Sequence, residues 1–290
     1  MTRQEIIVPT VKGYGRNEDN GWDYYISTDP KIAYVRITQF TPDTFEKLKN
    51  VLVGSSADLN DPKTYKGLMA DGMKAMILDL RFNPGGRLDQ AIQIVDMFVD
   101  KGVIVSTKGR NRPEQKVMAK NAGTLQYFPM VVLVNEHSAS ASEIVAGSLM
   151  DNRRALVMGS RSYGKGSVQE IMPLDDKGGE LKLTVAYYYL PSGRLVHRKK
   201  DAKDWGVDPQ VVIPMDEVAE ANAMRERLTS ELMHRPTTSP SSQPSITIAT
   251  TQPIDPQLDA ALKTMIGYVI FQGDRYTASA TTRPTTQPVH

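Results

Sequence analysis

The sequence predicts an α/β domain built on a largely parallel sheet with covering helices. Short apolar, β-rich runs at 75–80, 131–134 and 155–158 have the character of strands buried on both faces. Segments with helical spacing, 88–99 and 142–151, lie near or between them. Strands that alternate with helices are joined by crossovers, which set successive strands parallel.

Taken in order, residues 1–31 are polar, with Gly13, Gly15 and Gly21, and only Val8 and Val11 hint at strand. Residues 32–40 alternate and are rich in β-formers, so they read as a strand. Thr41-Pro-Asp-Thr44 signals a turn and a helix start, and 45–53 continues as helix. After the strand at 75–80 comes Asn83-Pro-Gly-Gly86, a tight turn. Leu88, Ile92, Val95 and Val99 then fall on one helical face. Residues 102–107 form a further strand, and 181–190 alternate strongly as a late antiparallel one. The core is expected over 32–215. Beyond it, 216–234 reads as a polar amphipathic helix and 235–253 as a disordered Ser/Thr/Pro-rich linker. A helix over 254–274 places Leu258, Leu262, Met265 and Val269 on one face, and 275–290 reads as a loose tail.

Composition narrows the chemistry. Forty per cent hydrophobic residues suffice for a packed core. A net charge of +2 gives no electrostatic case for nucleic acid or an anionic membrane. With no cysteine, thiol catalysis, disulfides and cysteine-ligated metals are excluded. No apolar stretch reaches transmembrane length, and the start has no apolar signal core. His137, His197, His234 and His290 are scattered, with no pair at metal-ligand spacing. No cofactor or metal is expected.

The chemistry concentrates in 131–169. The strand at 131–134 breaks at Asn135-Glu-His-Ser138, and a small-residue turn, Ser138-Ala-Ser-Ala-Ser142, opens a helix with Glu143 in its first turn. A hydroxyl at such a strand–turn–helix junction stands exposed above the sheet, and the free N–H groups of the helix start suit a developing oxyanion. Lys165 follows 25 residues after Ser140, between Gly164 and Gly166, and Gln169 follows it. A serine, a lysine and an amide can form a hydrolase site without histidine. Taken singly, each motif has a plain structural reading: small turn residues, a solvated lysine, an ordinary turn after a strand.

Together, Ser138-Ala-Ser-Ala-Ser-Glu-Ile144, Gly164-Lys-Gly-Ser-Val-Gln169 and Leu78-Asp-Leu-Arg-Phe-Asn-Pro-Gly-Gly86 resemble the carboxy-terminal processing peptidases, or tail-specific proteases. Weaker matches at 34–40 and 190–194 keep the family's order over 33–214. The resemblance implies a crotonase-like core, Ser140 as nucleophile, Lys165 as general base and Gln169 as the residue that orients the lysine. It implies an oxyanion hole of backbone N–H groups from Ala141 and Gly86, with Gly85 as the one-residue alternative. The implied substrates are polypeptides cut near their C-termini, and the implied location is the bacterial periplasm or cell envelope. The family usually carries a PDZ module before the core; this chain opens where that module would have ended, which fits a fragment or a member without it.

Further expectations follow. Ser142 is placed as the helix cap, leaving Ser140 for reaction. Lys165 needs apolar burial to lose its proton near neutral pH. Gln169 reaches Lys165 only if 164–169 is not a straight strand. Asp79 is assigned a structural hydrogen-bonding role, and His137 that of a loop histidine. Tyr187, Tyr188 and Tyr189 fit either a groove or the core. Gly159-Ser-Arg-Ser-Tyr-Gly-Lys-Gly166 imitates a phosphate loop but lacks the final hydroxyl and precedes β-like sequence, so nucleotide binding is not expected. The alternative function is a catalytically silent module that binds apolar ligands or peptide tails.

Overall fold

Apolar strands and amphipathic helices alternate along the chain as the patterning requires. The computed structural model describes residues 9–55, 65–110, 112–174, 178–233 and 254–280. The elements are β1 (Val11–Lys12), β2 (Gly15–Arg16), β3 (Trp22–Asp23), β4 (Tyr25–Thr28), β5 (Lys31–Ile37), α1 (Thr44–Val53), β6 (Ala75–Asp79), α2 (Leu88–Phe98) and β7 (Val103–Gly109). They continue with β8 (Arg112–Met118), β9 (Met130–Val134), α3 (Ala141–Asp151), β10 (Leu156–Gly159), β11 (Ser167–Pro173), β12 (Glu180–Tyr189), β13 (Val211–Val212), α4 (Glu217–Ser230) and α5 (Pro256–Ala280).

The central sheet runs β1-β5-β6-β9-β10-β13, with β4 also on β5. Strands β5, β6, β9, β10 and β13 are parallel, while β1 and β4 join β5 antiparallel. Alternation across the pleat sorts the side chains into two cores. Met76, Leu78, Val132 and Val134 face α1, α2 and α3, meeting Leu48, Ile94 and Ile144. Ala75, Ile77, Val131 and Leu133 face the other way, onto Ala261 and Met265 of α5. Leu258, Leu262 and Val269 pack there too, as the spacing within 254–274 predicts. The helix itself runs six residues past that range, so 275–280 are helical rather than tail. The expected linker at 235–253 and the residues after 280 lie outside the described residues.

A second, four-stranded sheet of order β11-β12-β7-β8 is antiparallel throughout and takes in the run at 102–107. Strand β12 is antiparallel, as expected. Strand β8 was not visible in the sequence: Arg-Pro-Glu-Gln-Lys-Val-Met has no alternation, is mostly exposed, and is held by pairing with β7. Helix α4 forms where a helix was expected, but not as an amphipathic one. Its buried positions are Ala223 and Arg227, while Val218 and Leu228 are exposed. It is fixed by charge instead: Arg227 pairs with Asp79, and Glu231 just past its end pairs with Lys12 and Arg36. No helix among the described residues is long and apolar enough to cross a membrane.

Candidate active site

The end of β9 delivers the chain into the serine turn. Ser140 sits at the N-cap of α3 with φ 55° and ψ −113°, a conformation that is strained for a residue with a Cβ. Its two neighbouring serines are structural. The Ser138 hydroxyl donates to Leu80 O (2.8 Å) and the Ser142 hydroxyl to Asn83 O (2.9 Å). Both are fully buried, whereas Ser140 is half-buried and shares a capping box with Glu143, its hydroxyl facing the Glu143 N–H while the Glu143 carboxylate reaches back to the Ser140 N–H. The expectation that Ser142 caps the helix is therefore corrected: its hydroxyl staples α3 to the 83–86 turn, and Ser140 holds the cap position.

That turn lies against the serine. Asn83 Nδ2 reaches Ile37 O (2.8 Å), Asn83 O accepts from Ala139 N (3.0 Å), and Asn83 Oδ1 accepts from Gly85 N (2.9 Å). Gly85 (φ 98°) packs so closely that a Cβ there would lie 2.6 Å from Ala139 O, 2.8 Å from Ser140 Cβ and 3.0 Å from Ala141 N. Gly86 (φ 144°) faces Phe40 instead, at 2.2 Å from its carbonyl oxygen for an added Cβ. The Gly85 N–H is consumed by Asn83; neither the Gly86 N–H nor the Ala141 N–H makes a hydrogen bond among the described residues.

The lysine loop is joined to the serine turn by Glu143, a buried carboxylate in the first turn of α3. Its Oε1 accepts from Ser162 Oγ (2.6 Å) and Gly164 N (2.6 Å). Its Oε2 accepts from Ser140 N (2.8 Å) and Lys165 N (2.8 Å). Because both nitrogens lie 2.8 Å from one oxygen, the Ser140 and Lys165 backbones are at most 5.6 Å apart. Burial raises the Glu143 carboxyl above its ordinary value, and the donors from Ser162, Gly164, Lys165 and Ser140 oppose that rise without cancelling it. Sequence reading saw only a first-turn acid. The signal for more was the Ser-x-x-Glu capping-box spacing, in which the glutamate reaches back to the cap N–H.

Gly164 and Gly166 are needed for close approach, as the flanking glycines suggest: an added Cβ would lie 2.7 Å from Trp205 Cδ1 and 2.4 Å from His197 N respectively. The segment is not one straight strand. Residues 161–166 lie outside any strand, β11 starts at Ser167, and the pairing with β12 skips Val185 between Val168 and Gln169. The Lys165 side chain is nonetheless exposed, so the expected apolar burial is not provided by the described residues. Gln169 is exposed on β11, and no hydrogen bond joins it to Lys165 among the described residues. The structure thus brings Ser140, Ala141, Gly85, Gly86 and the Lys165 backbone together, but not the side chains of Lys165 and Gln169. Because Lys165 leads into β11 and not a helix, the phosphate-loop imitation stays an imitation.

Behind the turn lies a buried ionic layer. Asp79 accepts from Arg81, Arg227 and Tyr34 (Oη 2.8 Å), confirming a structural role. Burial alone would raise its carboxyl, but Arg81 and Arg227 hold it well below the carboxylate range. His137 stacks on Phe82 at 5.3 Å and lies 3.8 Å from Glu220. Glu136, His137 and Glu220 are the single group among the described residues with potential metal-ligand atoms within 4.8 Å of one another. Glu136 and His137 are exposed, and the spacing is loose.

A mostly parallel α/β sheet thus carries a strained serine at a helix start, with a lysine loop latched to the same turn. The chain belongs to peptidase family S41, whose family model matches residues 31–213. It is similar to the carboxy-terminal-processing protease of Bartonella bacilliformis, 44% identical over 183 residues, covering 63% of this chain and 38% of that protein. A probable CtpA-like serine protease of Staphylococcus aureus is 35% identical over 185 residues, covering 63% of this chain and 33% of that one. Among solved structures, a photosystem II D1 C-terminal processing protease aligns with a TM-score of 0.55 and 27% identity, covering 74% of this chain and 52% of that chain. The chain thus spans 38% and 33% of the length of those two sequence relatives.

Proposed function

We propose that this chain is the catalytic core of a serine endopeptidase that cuts polypeptides near their C-termini, with Ser140 as nucleophile and Lys165 as general base. The observation that carries the reading is the shared Glu143 oxygen, which holds the Ser140 and Lys165 N–H groups in one cluster. Ser140 Oγ attacks the scissile carbonyl carbon while its proton passes to neutral Lys165 Nζ. The tetrahedral oxyanion is taken by the unengaged N–H groups of Gly86 and Ala141. Gly86 is preferred to Gly85, whose N–H is already bonded to Asn83. Collapse breaks the C–N bond, Lys165 gives its proton to the leaving amine, and water, deprotonated in turn by Lys165, releases the acyl group. Substrate covering the exposed lysine supplies the desolvation this step needs, with Gln169 orienting the amine once β11 is covered. The fold assigned is crotonase-like, and the working location is the periplasm or cell envelope, both by family likeness. No cofactor enters the mechanism.

Cleavage of casein by the purified chain tests this. Ser140→Ala should lower kcat by about 10⁶ and Lys165→Ala by roughly 10²–10⁴, with EDTA without effect. The exposure of Lys165 favours one second reading, a silent peptide-binding module. That reading holds if wild type and Ser140→Ala bind unfolded casein alike and neither cleaves it.

A further inference from the structure

Exposed cations elsewhere on the molecule meet carboxylates, as Arg87 does Asp89, Arg112 does Glu170 and Lys263 does Asp259. The run that follows β12 differs. His197-Arg-Lys-Lys-Asp-Ala-Lys203 holds four permanent cations and one acid, in a chain whose net charge is only +2. Arg198, Lys199, Lys200 and Lys203 are exposed and have no ion pair among the described residues. Trp205, just beyond the run, meets two guanidinium groups, Arg161 at 4.5 Å and Arg198 at 4.6 Å from the ring centre. Asp208 neutralises Arg161 through both its oxygens (3.2 and 2.6 Å). Arg198 keeps its charge, and its side chain makes no hydrogen bond among the described residues. Stacking on Trp205 restricts the Arg198 guanidinium, which leaves a partly ordered fork with its donors free.

This run is tied to the lysine loop. Arg198 N donates to Gly164 O (2.9 Å), and a Cβ added at Gly164 would lie 2.8 Å from Arg198 Cβ and 2.7 Å from Trp205 Cδ1. Burial pushes the His197 imidazole below its ordinary value and the Lys199 charge adds to this, so the field of the run reaches the residue packed on Gly166. The path from Ser140 N through Glu143 and the Gly164–Lys165 peptide to Arg198 N is short, and its two ends are at most about 11 Å apart. An extended peptide covers that span in about three residues.

We propose that Arg198 is a specificity residue that receives a carboxylate of the polypeptide substrate within about three residues of the bond that is cut, with Lys199, Lys200 and Lys203 steering acidic segments toward it. The inference rests on the peptidase reading above. The carboxylate belongs to an acidic side chain or to the chain end, and a guanidinium fork suits either. Like charges on the loop also work against segments rich in lysine and arginine, so the selection acts by repulsion as well as attraction.

Quenched-fluorescent peptides that differ only by Glu or Gln within three residues of the cut bond, each with a free or an amidated C-terminus, test the proposal. The preferred acidic peptide should exceed its neutral counterpart about tenfold in kcat/KM. The difference should lie in KM, and it should shrink as NaCl rises from about 50 mM to about 500 mM. A preference lost on Glu→Gln in the peptide assigns a side chain; one lost on amidation assigns the chain end. Arg198→Gln should bring the ratio to within about twofold of one. Lys199→Gln combined with Lys200→Gln, on exposed positions, should lower it part of the way and serves if Arg198→Gln misfolds. Fluorescence anisotropy of labelled peptides on the Ser140→Ala protein reads the same preference without cleavage. Casein cleavage together with equal kcat/KM for all the peptides overturns the inference and leaves the peptidase reading standing. If nothing is cleaved, tighter binding of the acidic peptide to Ser140→Ala supports the inference and equal binding overturns it. An acid preference that both sets of loop variants leave unchanged also overturns it.

Discussion

Glu143 is a carboxylate surrounded by four donors and buried away from water. Replacing it with glutamine keeps the shape but turns an N–H₂ toward N–H groups, leaving at least one buried donor without an acceptor at a cost of about 1–3 kcal/mol. The damage falls where the serine and lysine segments meet. Glu143→Gln should therefore stay folded by circular dichroism yet lose tenfold or more in kcat on casein; equal kcat in the two proteins removes the latch from the mechanism. Gly85 makes a second test at the same scale. Gly85→Ala meets the left-handed penalty of about 1–2 kcal/mol and overpacking of about 1–3 kcal/mol against Ser140 and Ala141. Gly72→Ala is the control: φ is 85° and nothing lies within 4 Å of the new Cβ. Urea denaturation should show Gly85→Ala the more destabilised, and only it should impair cleavage. Sequence alone pointed to Ser140 and to the Asn83–Gly86 turn, because small residues at a strand–helix junction leave a local mark. It assigned Ser142 wrongly as the helix cap, since Ser138 and Ser142 are fixed by carbonyls of Leu80 and Asn83, far away in sequence.

Elements were legible where burial is periodic. Helix α5 was visible through Leu258, Leu262, Met265 and Val269, which the structure puts against the sheet. The docking of α4 was not, because its anchor is an ion pair between residues 148 positions apart, Arg227 and Asp79, with no apolar stripe to announce it. Strand β8 was missed because its stability comes from β7, a partner no local pattern reveals. The same ionic layer makes a quantitative prediction for α5. Asp255 caps that helix through Leu258 N (3.0 Å) and meets both Nη atoms of buried Arg81 at 2.8 Å. Asp255→Ala removes the cap, about 1 kcal/mol, and half the charge partners of Arg81, so the loss should approach the roughly 3–5 kcal/mol typical of a broken buried pair. Lys263→Ala breaks only an exposed pair with Asp259 and should cost about 0.3–0.5 kcal/mol. Urea midpoints that agree for the two variants would show that α5 is not docked through Asp255.

At the scale of the whole molecule, two buried carboxyls with opposite shifts separate the latch from the fold as pH falls. Glu143 is raised above 4.5, so the folded state binds its proton more readily than the unfolded chain; its ionisation costs stability as pH rises from 4.5 through the raised value. Asp79 is lowered below 3.8, so its contribution is full above 3.8 and is lost only as pH falls through the depressed value. Between the two, the Asp79–Arg81–Arg227 layer stays ionised while Glu143 takes up a proton and gives up part of its hold on the N–H groups of Gly164, Lys165 and Ser140. The amide resonances report directly. On lowering the pH toward 4.5, the Gly164 and Lys165 N–H signals should titrate together, above the ordinary carboxylate range, while near-ultraviolet circular dichroism stays constant. In Glu143→Gln that titration should vanish. If the dichroism is lost in step with the amide shifts, the two carboxyls do not divide the molecule in this way, and the latch is part of the same cooperative unit as the ionic layer.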